Sequence, residues 1–271
     1  MRRVLILLGL FLLAVAGALG RFPNASARAQ QHPQTPPQQP AAPPATQTPP
    51  TLPAPTLRTV VLDPGHGGED TGARGPTGVA ERDIVLEFAQ TIAGALRAEG
   101  FAVVLTRTGE ADPSLDDRGA IANAQSDAIF ISLHVGSAGT LGTVQTYTYL
   151  FPSSSPALPA SEAADASASE PAAPPPGFLL WSEAQKPFVA QSVKLGDLIQ
   201  VELAQKFKGS PEISVAAPVA VLRSAAVPAV AVEVSSVAAD QQKLEAMGGD
   251  LASSIARAVQ AYKTIYPPGG K

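Results

Sequence analysis

Two histidines each stand at the end of an apolar run: His66 closes VVLDPGH and His134 closes IFISLH. An imidazole in such a place either makes an ordinary hydrogen bond or ligates a metal ion. The third histidine, His32, lies in a proline-rich stretch, so both imidazoles outside that stretch sit at the ends of apolar runs. Together they make a shared metal site more persuasive than either does alone. His66 and Asp63 share the turn DPGHGG, whose Gly65, Gly67 and Gly68 allow backbone shapes and close approaches that other residues resist. Glu233 is a carboxylate inside the apolar run PAVAVEV, a costly place for a charge unless something cationic faces it. Two partners stay open for it: Arg223 across a sheet, or a metal or metal-bound water. Glu81 precedes a helical pattern that begins near Ile84, where it either complements the positive end of the helix or joins the histidines. Spacing alone does not decide between these roles.

Several chemistries are excluded. The absence of cysteine removes disulfide frameworks, thiolate zinc fingers and cysteine nucleophiles. A formal net charge of -4 offers no basic footprint for nucleic acid. No G-x-S-x-G elbow, G-x-x-x-x-G-K-[ST] phosphate loop or H-E-x-x-H helix occurs. Ser132 and His134 fall on one strand face without an obvious oxyanion loop. The glycines from 65 to 78 do not form the tight turn into a helix that dinucleotide binding needs.

The elements that must position these residues alternate between two periods. Short β-rich runs fall at Thr59 to Leu62, Phe101 to Arg107, Ala128 to His134, Thr143 to Leu150 and Pro228 to Val234. Helical spacing links Ile84, Phe88, Ile92 and Leu96, closed by Gly100. It returns at Phe188, Leu195, Ile199 and Leu203, and again from Leu244 through Leu251, Ile255 and Val259 to Tyr262. Apolar strands separated by helices predict an α/β fold: a three-layer α/β/α sandwich with a mostly parallel central sheet. In such sheets sites form beyond the carboxyl ends of strands, where both histidines and Glu233 lie.

Outside this core the composition changes. Arg2 and Arg3 precede an uncharged run from Val4 to Gly20, and small-residue sites follow at Ala25-Ser26-Ala27 and Ala27-Arg28-Ala29. Residues 1–29 read as an export signal, or as an uncleaved anchor, the one route to a membrane considered for this chain. Residues 30–57 read as a disordered proline-rich linker, too poor in apolar groups to order itself. Residues 58–266 form the expected folded domain, interrupted at 152–177 by a proline- and serine-rich loop expected to be mobile, and 267–271 form a tail.

The segments VVLDPGHGGEDTGARGPTGVAERDIVLEFA and FAVVLTRTGEADPSLDDRGAIANAQSDAIFISLH resemble the zinc-dependent N-acetylmuramoyl-L-alanine amidases that cut peptidoglycan. VLRSAAVPAVAVE resembles the final strand of that family. The resemblance implies zinc as cofactor, His66, Glu81 and His134 as its ligands, and Glu233 as the catalytic glutamate. Three protein ligands leave one coordination position open, as a hydrolytic zinc site requires. The implied substrate is peptidoglycan, cut between N-acetylmuramic acid and L-alanine, in the periplasm or cell envelope. Arg118 and Asn123 match family positions that serve packing, capping or substrate contact. In some relatives a segment at the place of residues 152–177 covers the groove until an activator displaces it, so a protein activator is admitted. The bland reading of Phe178-Leu179-Leu180-Trp181 is a staple packing on the core at a helix entry. Two departures stand out: Val135-Gly136-Ser137 replaces the Ala-Asn that usually follows the second histidine, and Val234-Ser235-Ser236-Val237 replaces Gly-Phe-x-Ser-Asn. They motivate an alternative, a catalytically weak or inactive peptidoglycan-binding or regulatory protein on the same fold.

Overall fold

The computed structural model describes residues 56–151 and 180–266. The export-signal segment, residues 30–55 of the spacer, the inserted loop and the C-terminal tail lie outside the described residues; Leu57, read as the end of the spacer, is instead buried in the core. Six strands form one sheet in the order β2-β1-β3-β6-β4-β5: β1 (Thr59–Pro64), β2 (Ala102–Leu105), β3 (Ala128–Gly136), β4 (Val144–Tyr149), β5 (Val215–Ala217) and β6 (Ala229–Ser235). β2, β1, β3 and β6 run parallel; β4 runs antiparallel to β6 and parallel to β5. Four helices flank the sheet: α1 (Glu81–Ala98), α2 (Leu115–Asn123), α3 (Val189–Lys206) and α4 (Gln241–Ile265). The mostly parallel α/β/α sandwich is as the alternation of periods predicts. β1 and β3 run two residues past their apolar runs, β2 and β4 are shorter than theirs, and β5, three residues long, carries too little period to be read from sequence.

Side-chain alternation along the strands sorts the interior into two cores. Val60, Leu62, Ile129, Ile131, Leu133, Val230, Val232 and Val234 face one side, where they pack with α1, α3 and α4. α1 supplies Ile84, Phe88, Ile92 and Leu96 to that core, and α4 supplies Leu244, Leu251, Ile255 and Val259. α1 ends as its sequence predicts. Gly100 takes φ +85°, its amide bonds to Arg97 O at 3.0 Å, and the amide of Phe101 bonds to Leu96 O at 3.1 Å. That pair of bonds, with Leu96 and Phe101 both buried, is a Schellman closure.

The opposite face carries Val61, Phe130, Ala229 and Ala231. Among the described residues its cover is thin: the nine-residue α2 and a single 3-10 turn at Ala220–Leu222. α2 begins on a reciprocal cap in which Ser114 accepts from the Asp117 amide while the Asp117 carboxylate accepts from the Ser114 amide. Carrying the alternation two residues further along each strand brings Asp63, Ser132 with His134, and Glu233 onto this same thinly covered face.

Candidate metal centre

His134 and Glu233 are register partners on the adjacent parallel strands β3 and β6. Equal parity therefore places both side chains on one face, side by side. His66 comes from the turn after β1, with φ +59°, a left-handed shape that costs a non-glycine residue energy unless its surroundings enforce it. They do so through two buried arginines. Arg118 donates to the carbonyls of Pro64 at 2.9 Å and His66 at 2.8 Å. Arg107 donates to those of Pro64 and Gly65, both at 2.9 Å. Asp63 balances this charge, accepting from Arg118 at 2.7 Å, Ser132 at 2.7 Å and Thr106 at 2.5 Å. Asp63 thus serves the frame of the site, as do the two arginines.

After the turn the chain folds back through short bridges, Gly67 with Asp70 and Arg74 with Ala80, and delivers Glu81 as the first residue of α1. Its carboxylate meets both imidazoles: Oε2 lies 3.1 Å from His66 Nε2 and Oε1 lies 2.9 Å from His134 Nδ1. The backbone amides of Ala73 and Val135 each donate to it at 2.9 Å. Glu81 therefore does more than complement a helix end. His66 Nδ1 is 2.8 Å from Asp70 Oδ2, which turns the other ring nitrogen toward Glu81. Glycines keep the space clear: a Cβ at Gly65 would strike the His134 ring, and one at Gly72 would strike Glu81 and His66.

The electrostatics follow from this crowding. Burial opposes the charge on Glu81, but hydrogen bonds from His134, His66, Ala73 and Val135 outweigh it and hold the carboxyl below the usual range. The Glu81 bond, against desolvation and with help from Asp70, pushes His66 up to about 9. Burial pushes Glu233 up, the charge on His134 pulls it back by less, and the charge on Glu81 adds to the rise.

The donor set fits a divalent cation. One ligand atom from each of His66, Glu81 and His134 lies within 4.8 Å of the other two. Neighbouring ligands of a tetrahedral zinc ion, each about 2.0–2.2 Å from it, stand about 3.4 Å apart, a few tenths of an ångström more than the 3.1 and 2.9 Å that separate Glu81 from the two imidazoles. Two imidazoles and a carboxylate are a set that catalytic zinc uses, and the Asp70 bond to the far nitrogen of His66 is the outer support such histidines receive. Glu233 lies beside this cluster and outside it. Arg223 is exposed, and among the described residues no ion pair joins it to Glu233, so the cross-sheet pairing is set aside.

The remaining expectations resolve as follows. Asn123 donates to Ser224 O at 2.9 Å and accepts from the Ala226 amide at 2.6 Å, a packing role. Arg118 is buried, with its guanidinium bonded to Asp63, Pro64 and His66, and it also lines the cavity that holds His66 and His134. Leu180 and Trp181 are exposed, so these two do not form a buried staple. Val135 and Val234 point into the helical core on the far face, away from the site. Gly136 is the departure that matters here, because a Cβ there would collide with the Glu233 carboxylate as placed. Sequence reasoning missed Arg107, which reads as one more charge after a strand.

A three-layer α/β/α protein with a His-Glu-His donor set at the carboxyl edge of its sheet, flanked by a partly buried glutamate, is the class defined so far. The model of the N-acetylmuramoyl-L-alanine amidase family matches residues 60–261, and the chain belongs to that family. It is 46% identical over 77 residues to N-acetylmuramoyl-L-alanine amidase AmiA of Salmonella typhimurium, covering 28% of this chain and 27% of that one. It is 38% identical over 92 residues to the sporulation-specific amidase of Bacillus subtilis, covering 33% and 35%. The matched stretches thus span about a quarter to a third of these relatives. Among solved structures, an amidase of Clostridium difficile 630 superposes with TM-score 0.54 at 23% identity, covering 76% of this chain and 97% of that one. The CwlD amidase of Clostridioides difficile, solved with the GerS lipoprotein, gives TM-score 0.55 at 20% identity, covering 77% and 99%. These two likenesses concern the fold.

Proposed function

We propose that this protein is an exported zinc-dependent hydrolase of the cell envelope. It cleaves the amide bond between the lactyl group of N-acetylmuramic acid and the first L-alanine of the peptidoglycan stem. The observation that carries the reading is the convergence of His66, Glu81 and His134 on one point beside Glu233, within a domain of this family. The chemistry that zinc supplies when bound is Lewis-acid polarisation of the scissile carbonyl and a lowered pKa for water.

The remaining work falls to the chain. His66, Glu81 and His134 hold the ion, with Asp70 fixing the His66 ring. Glu233 accepts a proton from the attacking water as its oxygen bonds to the carbonyl carbon. It then gives that proton to the amine nitrogen as the carbon–nitrogen bond breaks, leaving a carboxylic acid on the glycan and a free L-alanine amino terminus. A carboxyl raised by burial suits both halves of this exchange, since a general base works best near the operating pH.

His134 lines two cavities, of about 240 and 340 Å³, which open on either side of the centre. A substrate extended across His134 then has one arm in each. Support for export comes from the signal-like start of the sequence and from the cell-wall relatives; no helix among the described residues is long and apolar enough to cross a membrane. A protein activator belongs to the same proposal, encouraged by the lipoprotein complex of CwlD.

Mass analysis of peptidoglycan digested by the zinc-loaded protein tests the reading. New L-alanine amino termini with unsubstituted muramic acid are expected. Fragments of the stem with muramic acid still substituted point to a peptidase instead. Glycan-peptide binding without product points to the non-catalytic alternative that the change at Gly136 motivates.

A further inference from the structure

Beyond the centre, the structure holds an exposed aromatic with no role in the chemistry above. Trp181 is 43% exposed, and its indole Nε1 donates to Asp116 Oδ1 at 2.8 Å, which ties the ring to the start of α2. Leu180 beside it is 49% exposed, and Leu115, one residue before Asp116, is 48% exposed. Leu115 also lines the 240 Å³ cavity that contains His66 and His134, together with Asp112 and Ser114. An apolar rim therefore continues from the reaction centre outward across α2 to a fixed indole.

We propose that Trp181, with Leu115 and Leu180, is a platform for the glycan strand of peptidoglycan, a site for N-acetylated hexopyranose rings next to the muramic acid whose stem peptide is released. The proposal rests on the amidase reading for its choice of polymer. Three observations select sugar as occupant. A pyranose presents an apolar face of C–H groups that stacks on an indole, and a ring already held by a hydrogen bond loses little freedom on binding. Asp112, Ser114, Asp116 and Asp117 cluster along the same rim and offer acceptors for sugar hydroxyls. Their negative charge suits a neutral N-acetylated glycan and disfavours the carboxylate-bearing stem peptide. The second cavity, lined by Tyr147, Pro218, Val219 and Ala231 on the far side of His134, is left for the peptide arm.

Trp181 is the sole tryptophan of the chain, so its emission reports this site alone. Titrating the full-length protein with chitotetraose, a β-1,4-linked N-acetylglucosamine oligomer without peptide, should give a saturable emission change that maltotetraose does not. Trp181→Ala should raise KM for polymeric peptidoglycan about tenfold, the scale of one aromatic contact. It should leave turnover of N-acetylmuramoyl-L-alanyl-D-isoglutamine, too short to reach the platform, within about twofold of wild type on the same scale. Trp181→Phe should fall between. Silent emission with chitotetraose overturns the proposal, as does an equal loss on the long and short substrates. If the wild-type protein cleaves neither substrate while its emission still answers chitotetraose, the glycan platform stands and the amidase reading falls.

Discussion

At the scale of single residues, Glu233 lies beside the cluster and outside it, so in the proposed mechanism holding the metal and moving the proton fall to different residues. Glu233→Gln keeps the shape and removes the acceptor. We expect kcat to fall about 10²- to 10⁴-fold with zinc content unchanged, measured by single-turnover assay and metal analysis of the same preparation. Gly136 bears on the same group. Gly136→Ala should displace the Glu233 carboxylate and lower kcat while leaving metal content and Tm near wild type, since the clash is with a side-chain end. Arg118 is a different case, for its guanidinium and Asp63 are buried together and hold the His66 turn. Arg118→Ala leaves Asp63 uncompensated and should cost about 3–5 kcal/mol in denaturant unfolding.

Legibility at this scale was uneven for physical reasons. The histidines and Glu233 stood out because polar groups at the ends of apolar runs are conspicuous. Glu81 did not, because its approach to His66 depends on the bridges that fold residues 67–80 back, and no period records such a return. Arg107 went unread and the role of Arg118 stayed open, since nothing local shows that their hydrogen-bond partners are the carbonyls of a distant turn.

At the scale of elements, the helices test how charge and capping act on the scaffold. Glu87 on α1 lies one turn from Asp83 and faces Glu245 of α4. Burial first, then those two charges, hold its carboxyl above the ordinary value. A raised acid binds its proton more tightly folded than unfolded, so its ionised form works against folding above the carboxylate range and is neutral below it. Glu87→Gln should therefore raise stability at pH 7 by roughly 0.2–0.5 kcal/mol, reduced by salt because the group is exposed, and this gain should vanish below about pH 4. Thermal melts across pH check both the sign and the window. Ser114→Ala removes the side-chain half of the α2 cap and should cost about 1 kcal/mol by the same melts. β1, β3, β6 and the body of α1 were readable from their apolar periods, and its C-terminal end from Gly100, whereas its start at Glu81 lies ahead of the pattern that begins near Ile84. The reversed direction of β4 was not, because strand direction is set by how the chain returns between elements.

For the molecule as a whole, the metal should couple to folding. His66, Glu81 and His134 arrive from three separate elements, so the cluster exists in the folded chain and is scattered in the unfolded one. Zinc at a hundred times its dissociation constant should then add about 2.7 kcal/mol to stability, and a chelator should remove it. His66→Ala should lose that response in a calorimetric scan with and without zinc, while the sheet itself still folds.

The division of the sheet into two faces has a practical corollary. Cohesion resides largely in the large side chains on the helical side, whereas the candidate site sits on the opposite pleat, beyond the short α2. Under the proposed function, a substitution that silences the reaction would leave the scaffold in place, and such a cleavage-dead version would serve as a reagent that settles on intact wall and marks where cutting would have begun.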